Sequence, residues 1–267
     1  MAFSYIDIFA GAGGLSEGFQ RNGYIPVAHV EMKKEACLTL KTRECFYYLK
    51  KHGRIEDYKN YLRREITRDE LYAMVPETVL NSVINETMSE EGMPALFDRI
   101  DQLMEVQGIE NIDVLVGGPP CQAFSLGGRA RSKTNMVGDP RNYLYMLYCE
   151  VLEKYRPKIF VFENVPGLLT ANGGSYFDDM RERFRKAGYF LEYRILNSKE
   201  YGVLQNRRRV IVIGWREGTD FTYPELDKKE QKYLVDDLFS DLPYIEPGES
   251  RNVYKCKVRF AGMYEEN

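Results

Sequence analysis

Three short stretches carry side chains that could do chemistry together. The first, "GGPPCQAFSLGGRAR" (117–131), sets a single thiol, Cys121, behind two glycines and two prolines. Such residues fix an irregular backbone, so the thiol is expected in a shaped turn and not inside a helix or strand. In the second, Glu163 closes the apolar run "KIFVFEN" (158–164); in the third, Gln205, Arg207 and Arg209 stand just before the last apolar run in "GVLQNRRRVIVIG". Attack on an electron-poor ring needs a soft nucleophile, which near neutral pH is best supplied by cysteine, and a nearby arginine favours its thiolate. A carboxyl group that shares a proton with a ring nitrogen lowers the barrier to adding sulfur across the ring. Each residue alone has an ordinary role as an inert thiol, a hydrated strand end or surface charge. As a set they describe nucleophilic addition to a heterocycle. Arg129, Arg131, Lys133 and Arg141 follow the thiol against the single acid Asp139, a balance suited to holding phosphates without reading bases.

A fourth stretch looks like a cofactor turn. Phe9-Ala10-Gly11-Ala12-Gly13-Gly14 follows the apolar run "FSYIDIF" (3–9). Glycines there let the backbone approach a ligand closely and start the next helix tightly. The turn suits NAD, FAD or S-adenosylmethionine alike. It is not G-x-G-x-x-G, and an aromatic ahead of the first glycine can pack on a cofactor while leaving less room for a pyrophosphate. Glu31 ends the next apolar run, "IPVAHVE" (25–31), where such folds hold ribose hydroxyls.

The elements that must position these residues alternate. Strands are expected at 3–9, 25–31, 112–116 and 158–164, with "FLEYRIL" and "RVIVIGW" as late strands joined through 198–208; helices are expected at 33–53, 142–155 and 175–189. The continuous apolar runs "IDVLV" and "KIFVF" suit a parallel sheet covered on both faces. The fold class is therefore α/β, a doubly wound, mixed, mostly parallel sheet. Residues 54–109 are highly charged and long for a sheet crossover; they are expected as a helical insertion, with a short strand at 82–86 and an amphipathic helix at 95–106. The main domain spans 1–217, and 218–267 shows no strand–helix alternation.

With these pieces in order, "DIFAGAGGLSEGF", "VE" at 30–31, "GGPPCQAFS", "FVFENV" and "QNRRR", the chain resembles the DNA cytosine-5 methyltransferases, over roughly residues 3–215. The resemblance implies a Rossmann-like fold that binds S-adenosylmethionine and releases S-adenosylhomocysteine. It implies a target cytosine flipped out of double-stranded DNA, because its ring atoms are unreachable in the stack. Cys121 would add to ring carbon 6, and Glu163 would hold or protonate ring nitrogen 3. Arg207 would stabilise the base and Glu163, while Gln205 and Arg209 shape the pocket wall. Phe9, Ala10, Gly11, Gly14 and Leu15 would contact the cofactor. Glu31 would take its ribose, Met32 would pack on its adenine, and Gly118, Pro120 and Leu144 would line its methionine end. Ser125 with Arg129, Arg131 and Lys133 would close over DNA. The family's adenine-contacting acid after the third strand falls in the expanded stretch, and Glu86 is the candidate for it, better placed than Asp98.

The family also carries a target-recognition domain and a final Gly-Asn motif after the Q-x-R-x-R strand. No Gly-Asn pair occurs in the 267 residues. The expectation is a catalytic half that binds cofactor weakly and methylates no DNA without a second polypeptide or a longer chain. A restriction-modification setting is implied. Rival readings are a transfer-RNA cytosine methyltransferase, disfavoured because Ser125 follows Phe124 where that branch commonly has Thr; a partial chain that only binds; and a nicotinamide oxidoreductase, which leaves Cys121, Glu163 and Arg207 unexplained.

Composition sets the outer bounds. Five cysteines without C-x-x-C spacing argue against a zinc site or disulfide framework, and two histidines against hydrolytic triads. A net charge of −3 advertises no global field for nucleic acid, so any such partner needs a local patch. No apolar stretch approaches a membrane span, and the start lacks a signal peptide's basic residues. A cytoplasmic location is the default expectation.

Overall fold

The computed structural model describes residues 2–120, 143–230, 233–240 and 242–249. Its frame is a seven-stranded sheet of β1 (Ser4–Ile8), β2 (Ile25–Glu31), β3 (Val83–Asn85), β4 (Val114–Gly117), β5 (Ile159–Asn164), β6 (Tyr189–Asn197) and β7 (Arg208–Arg216), in the order β3-β2-β1-β4-β5-β7-β6. Pairing from β3 through β5 is parallel, and β7 runs antiparallel to β5. The carboxyl ends of β1, β2, β4 and β5 thus share one edge, where open α/β sheets hold ligands.

Alternation along the strands decides which side chains meet. Ile6, Ile8, Leu115, Phe160 and Phe162 enter the larger core. This core is covered by α6 (Met93–Gln107), α7 (Leu144–Tyr155) and α8 (Ser175–Lys186). The intervening residues face the opposite side, where Tyr5, Val114 and Val116 pack with Leu15 and Phe19, and α2 (Lys34–Lys51) contributes Cys37 and Leu40. On that side, register aligns His29 with Asp7 and Asp7 with Val116, and Val116 with Val161.

The expected insertion is shorter than 54–109. Met93, Leu96 and Ile100 of α6 lie in the main core, and β3 extends the sheet. Only α3 (Ile55–Leu62), α4 (Arg68–Ala73) and α5 (Glu77–Asn81) stand apart, around Leu71 and Val75 packed on Cys45 and Leu49 of α2. Thr67 opens α4 with a reciprocal cap: its Oγ1 accepts from the Glu70 N–H, and the Glu70 carboxylate accepts from the Thr67 N–H.

The chain divides into two units, residues 1–195 with 209–223, and 196–208 with 224–267. In the second unit, the 198–208 connection is folded on itself: the Ser198 N–H donates to the Arg207 carbonyl at 3.0 Å, and the Ser198 hydroxyl donates to the Gln205 carbonyl at 2.5 Å. Beyond residue 223, its described residues form a bridge of Lys229 with Tyr201 and one short helix, α9 (Val235–Phe239).

Candidate active site

The first strand ends in a strained turn. Phe9 holds a left-handed backbone at φ 54°, a conformation costly for a bulky residue and concentrated at functional sites. Ala10 keeps the turn against β2, its N–H donating to the Val30 carbonyl. A Cβ at Gly13 would stand 2.9 Å from Leu40, so this glycine lets α2 approach the turn. Beside Gly11 and Gly14, nothing among the described residues lies within 4 Å of where a Cβ would be, which leaves room for a ligand.

Glu31 joins this turn to β2. One carboxylate oxygen accepts from the Gly11 N–H and the other from the Lys33 N–H, both at 2.8 Å. A carboxylate offers about four acceptor directions, so two remain for a diol. Its backbone carbonyl accepts from Asn85 and from the Glu86 N–H, which ties in the end of β3. Met32 is exposed beside it, and the Glu86 carboxylate pairs with Arg99 at 3.1 Å. Glu86 thus sits next to Glu31 in the backbone network, but its charge is engaged elsewhere. Leu15 is half-buried on the α1 (Glu17–Arg21) side, and Leu144 begins α7.

The second half of the site is built on β4 and β5. Gly117 closes β4 where a Cβ would meet the Ile8 carbonyl and the Tyr148 ring at 2.8 Å. At Gly118 a Cβ would stand 3.1 Å from Glu163 Oε2, so the glycine pair allows the turn into Pro119-Pro120 to lie against Glu163. Glu163 Oε1 receives Arg209 Nε at 2.6 Å, each side chain about one quarter exposed. Period-two alternation explains the meeting: Glu163 aligns with Ile211, and Arg209 projects from the same face of β7. Arg209, expected at the pocket wall or as the arginine that favours the thiolate, is a cation seen on Glu163. Gln205 and Arg207 belong to the second unit, where both are exposed on the 198–208 connection.

Asn164 is a residue that sequence reasoning passed over, although it stands inside the quoted "FVFENV". It is buried, its amide donates to the Pro119 carbonyl at 3.3 Å, and its own oxygen accepts from the Val165 N–H at 2.9 Å. That side chain links the end of β5 to the turn leading into Cys121. Tyr148 braces the same strands from below, its hydroxyl within reach of the Leu115 and Val161 carbonyls.

Cys121, Ser125, Arg129, Arg131 and Lys133 lie outside the described residues. The described thiols Cys37, Cys45 and Cys149 are all buried, and burial pushes their ionisation up, to about 12 for Cys45 and Cys149. They fit the inert role expected of them.

The C-5 cytosine-specific DNA methylase family model matches residues 3–76 and 95–267. Among curated relatives, the type II methyltransferase M.Bpa9945I of Bacillus paralicheniformis is 33% identical over 93% of this chain and 62% of its own length. The type II methyltransferases M1.HphI of Haemophilus parahaemolyticus and M.BspRI of Lysinibacillus sphaericus are 29% and 32% identical, over 94% and 92% of this chain. The chain spans 55% and 54% of those two relatives. A crystal structure of an E. coli prophage protein, named as a DNA modification methyltransferase, superposes with a TM-score of 0.59 at 22% identity, over 91% of this chain and 56% of that one.

Proposed function

The chain belongs to the C-5 cytosine-specific DNA methylase family, and on that premise we propose that it supplies the catalytic part of a DNA cytosine-5 methyltransferase. S-adenosylmethionine, when bound, supplies a sulfonium-activated methyl group. The residues on the first edge fit such a group: open space beside Gly11 and Gly14, and the spare acceptor directions of Glu31 for a ribose diol.

The remaining work falls to protein groups. The Cys121 thiolate adds to ring carbon 6 of an extruded cytosine while Glu163 delivers a proton to ring nitrogen 3. Carbon 5, made electron-rich, takes the methyl group. Loss of the carbon-5 proton to a base then lets the thiolate leave, and the ring proton returns to Glu163. Arg209 keeps Glu163 oriented, and Asn164 fixes the turn that carries the thiol. Arg129, Arg131 and Lys133 hold phosphates of double-stranded DNA. Sequence choice and closure of the cofactor pocket are assigned to a further part, on this polypeptide or a second one, because the matched relatives are so much longer.

The observation that carries this reading is the Arg209–Glu163 pair beside Gly118, three residues before Cys121. The test is a duplex carrying 5-fluorocytosine, offered with S-adenosylmethionine and a complementing recognition segment. A covalent adduct that maps to Cys121 by peptide mass is expected; adduct formation by Cys121→Ser at the wild-type level overturns the mechanism.

A further inference from the structure

A cleft of about 430 Å³ opens on the edge of the sheet opposite the candidate active site, at the start of β2. Its lining runs from Ile25 at the start of β2 to Glu44, which faces His29 two residues before Glu31. Tyr24, Tyr47 and Tyr48 stand around it, with Glu44 of α2 also in the lining and Lys51 exposed at its margin. The volume falls in the range of small-molecule sites.

Glu44 is an unusual lining residue because it is 6% exposed and charged. One of its oxygens accepts from Gln20 at 2.8 Å and faces His29 Nε2 at 3.2 Å. The other accepts no hydrogen bond from any described residue. Behind it, His29 lies between Glu44 and Asp7, its Nδ1 3.4 Å from Asp7. Burial alone would push that imidazole down, but the two carboxylates raise it to about 9, so it is cationic near neutrality. Two buried carboxylates therefore face one imidazole, and it stands against only one oxygen of Glu44. Arg43 pairs with Glu17, and among the described residues neither Arg43 nor Lys51 forms an ion pair with Glu44. Other polar lining groups are already engaged: Ser82 donates to the Val79 carbonyl and Gln107 to the Val27 carbonyl.

A half-satisfied buried carboxylate beneath aromatic rings is the chemistry that receives an organic cation: charge-assisted hydrogen bonds to the oxygen and cation–π attraction from the rings. We propose that this cleft binds a small alkyl guanidinium or alkyl ammonium compound, its head on Glu44 and its stem along the tyrosines. The site does not depend on the methyl-transfer reading.

Agmatine is the probe, with butylurea as its neutral counterpart, titrated calorimetrically into the full chain. Agmatine should bind one to one at millimolar or lower concentration and butylurea should not. Glu44→Gln should weaken agmatine by about tenfold or more, the worth of one charge-assisted bond. Lys51→Ala should tighten it by removing like charge. Equal binding of both probes, no binding of agmatine, or indifference to Glu44→Gln in a protein with unchanged circular dichroism overturns the proposal. Should Glu44→Gln fail to fold, Tyr47→Leu replaces it: weakened agmatine supports the site, and unchanged affinity removes it.

Discussion

Among the described contacts of Glu163 are a cation on one oxygen and a glycine against the other. A carboxyl group held in this way can give and retake a proton without a change of place. Its replacement by Gln keeps shape and hydrogen bonding but removes the transferable proton. In a preparation that methylates duplex DNA, Glu163→Gln should therefore lower turnover by about 10²- to 10⁴-fold, with calorimetric S-adenosylhomocysteine binding unchanged. Parallel loss of cofactor binding would instead make Glu163 a structural strut. Asn164 acts one step back, through the turn. Asn164→Asp retains an acceptor for the Val165 N–H but loses the donor to Pro119, leaving a buried carbonyl unpaired at about 1–3 kcal/mol. Methyl transfer should fall while cofactor affinity holds. A lower melting temperature with unchanged turnover would leave it no positioning role.

At the scale of elements, the strands were readable because β4 is buried along its length and β5 alternates buried with half-buried residues, so both are written as apolar runs. The helices α2, α7 and α8 were readable for the complementary reason, an apolar stripe at helical spacing ended by Gly53, Pro157 or a polar turn. Residues 54–109 misled because charge density measures exposure, not membership of the core: α6 is amphipathic, yet its Leu96 and Ile100 serve the main sheet. The pairing of Arg209 with Glu163 was hidden because it depends on the register of β7 on β5, which no local pattern in the sequence announces. Nothing local announces Asp7, His29 and Glu44 either, since three elements bring them together. That cluster gives the sheet and α2 a titratable link. A folded imidazole raised from 6.5 to about 9 contributes stability that is fully present below about pH 6.5 and is lost as pH rises through about 9. Thermal melts should show a decline in melting temperature across that window, and His29→Gln should flatten it. An equal decline in His29→Gln would move the titration to another group.

For the whole molecule, charge sets how DNA can be held. The chain carries −3 overall, so attraction to a polyanion must come from a local patch against an unfavourable average. Under the proposed function that patch falls to the cations Arg129, Arg131, Lys133 and Arg141, and four phosphate contacts are the most they can make. Each neutralised phosphate of duplex DNA contributes about −0.9 to the slope of log affinity against log salt concentration, so this patch alone gives a slope no steeper than about −4. Fluorescence anisotropy on a labelled duplex, stepped through sodium chloride, reads that slope directly. Arg129→Ala with Arg131→Ala should make it shallower by about 2, equally for any duplex sequence, because backbone contacts carry no sequence information. A steeper slope in the unmodified chain would reveal another basic surface, and a slope untouched by the double substitution would take the patch off the DNA. Relatives with longer chains have room for a separate reading element, so adding such a segment should steepen the slope and introduce sequence dependence together. If sequence preference is already present in this chain alone, base readout has to be assigned to its own residues.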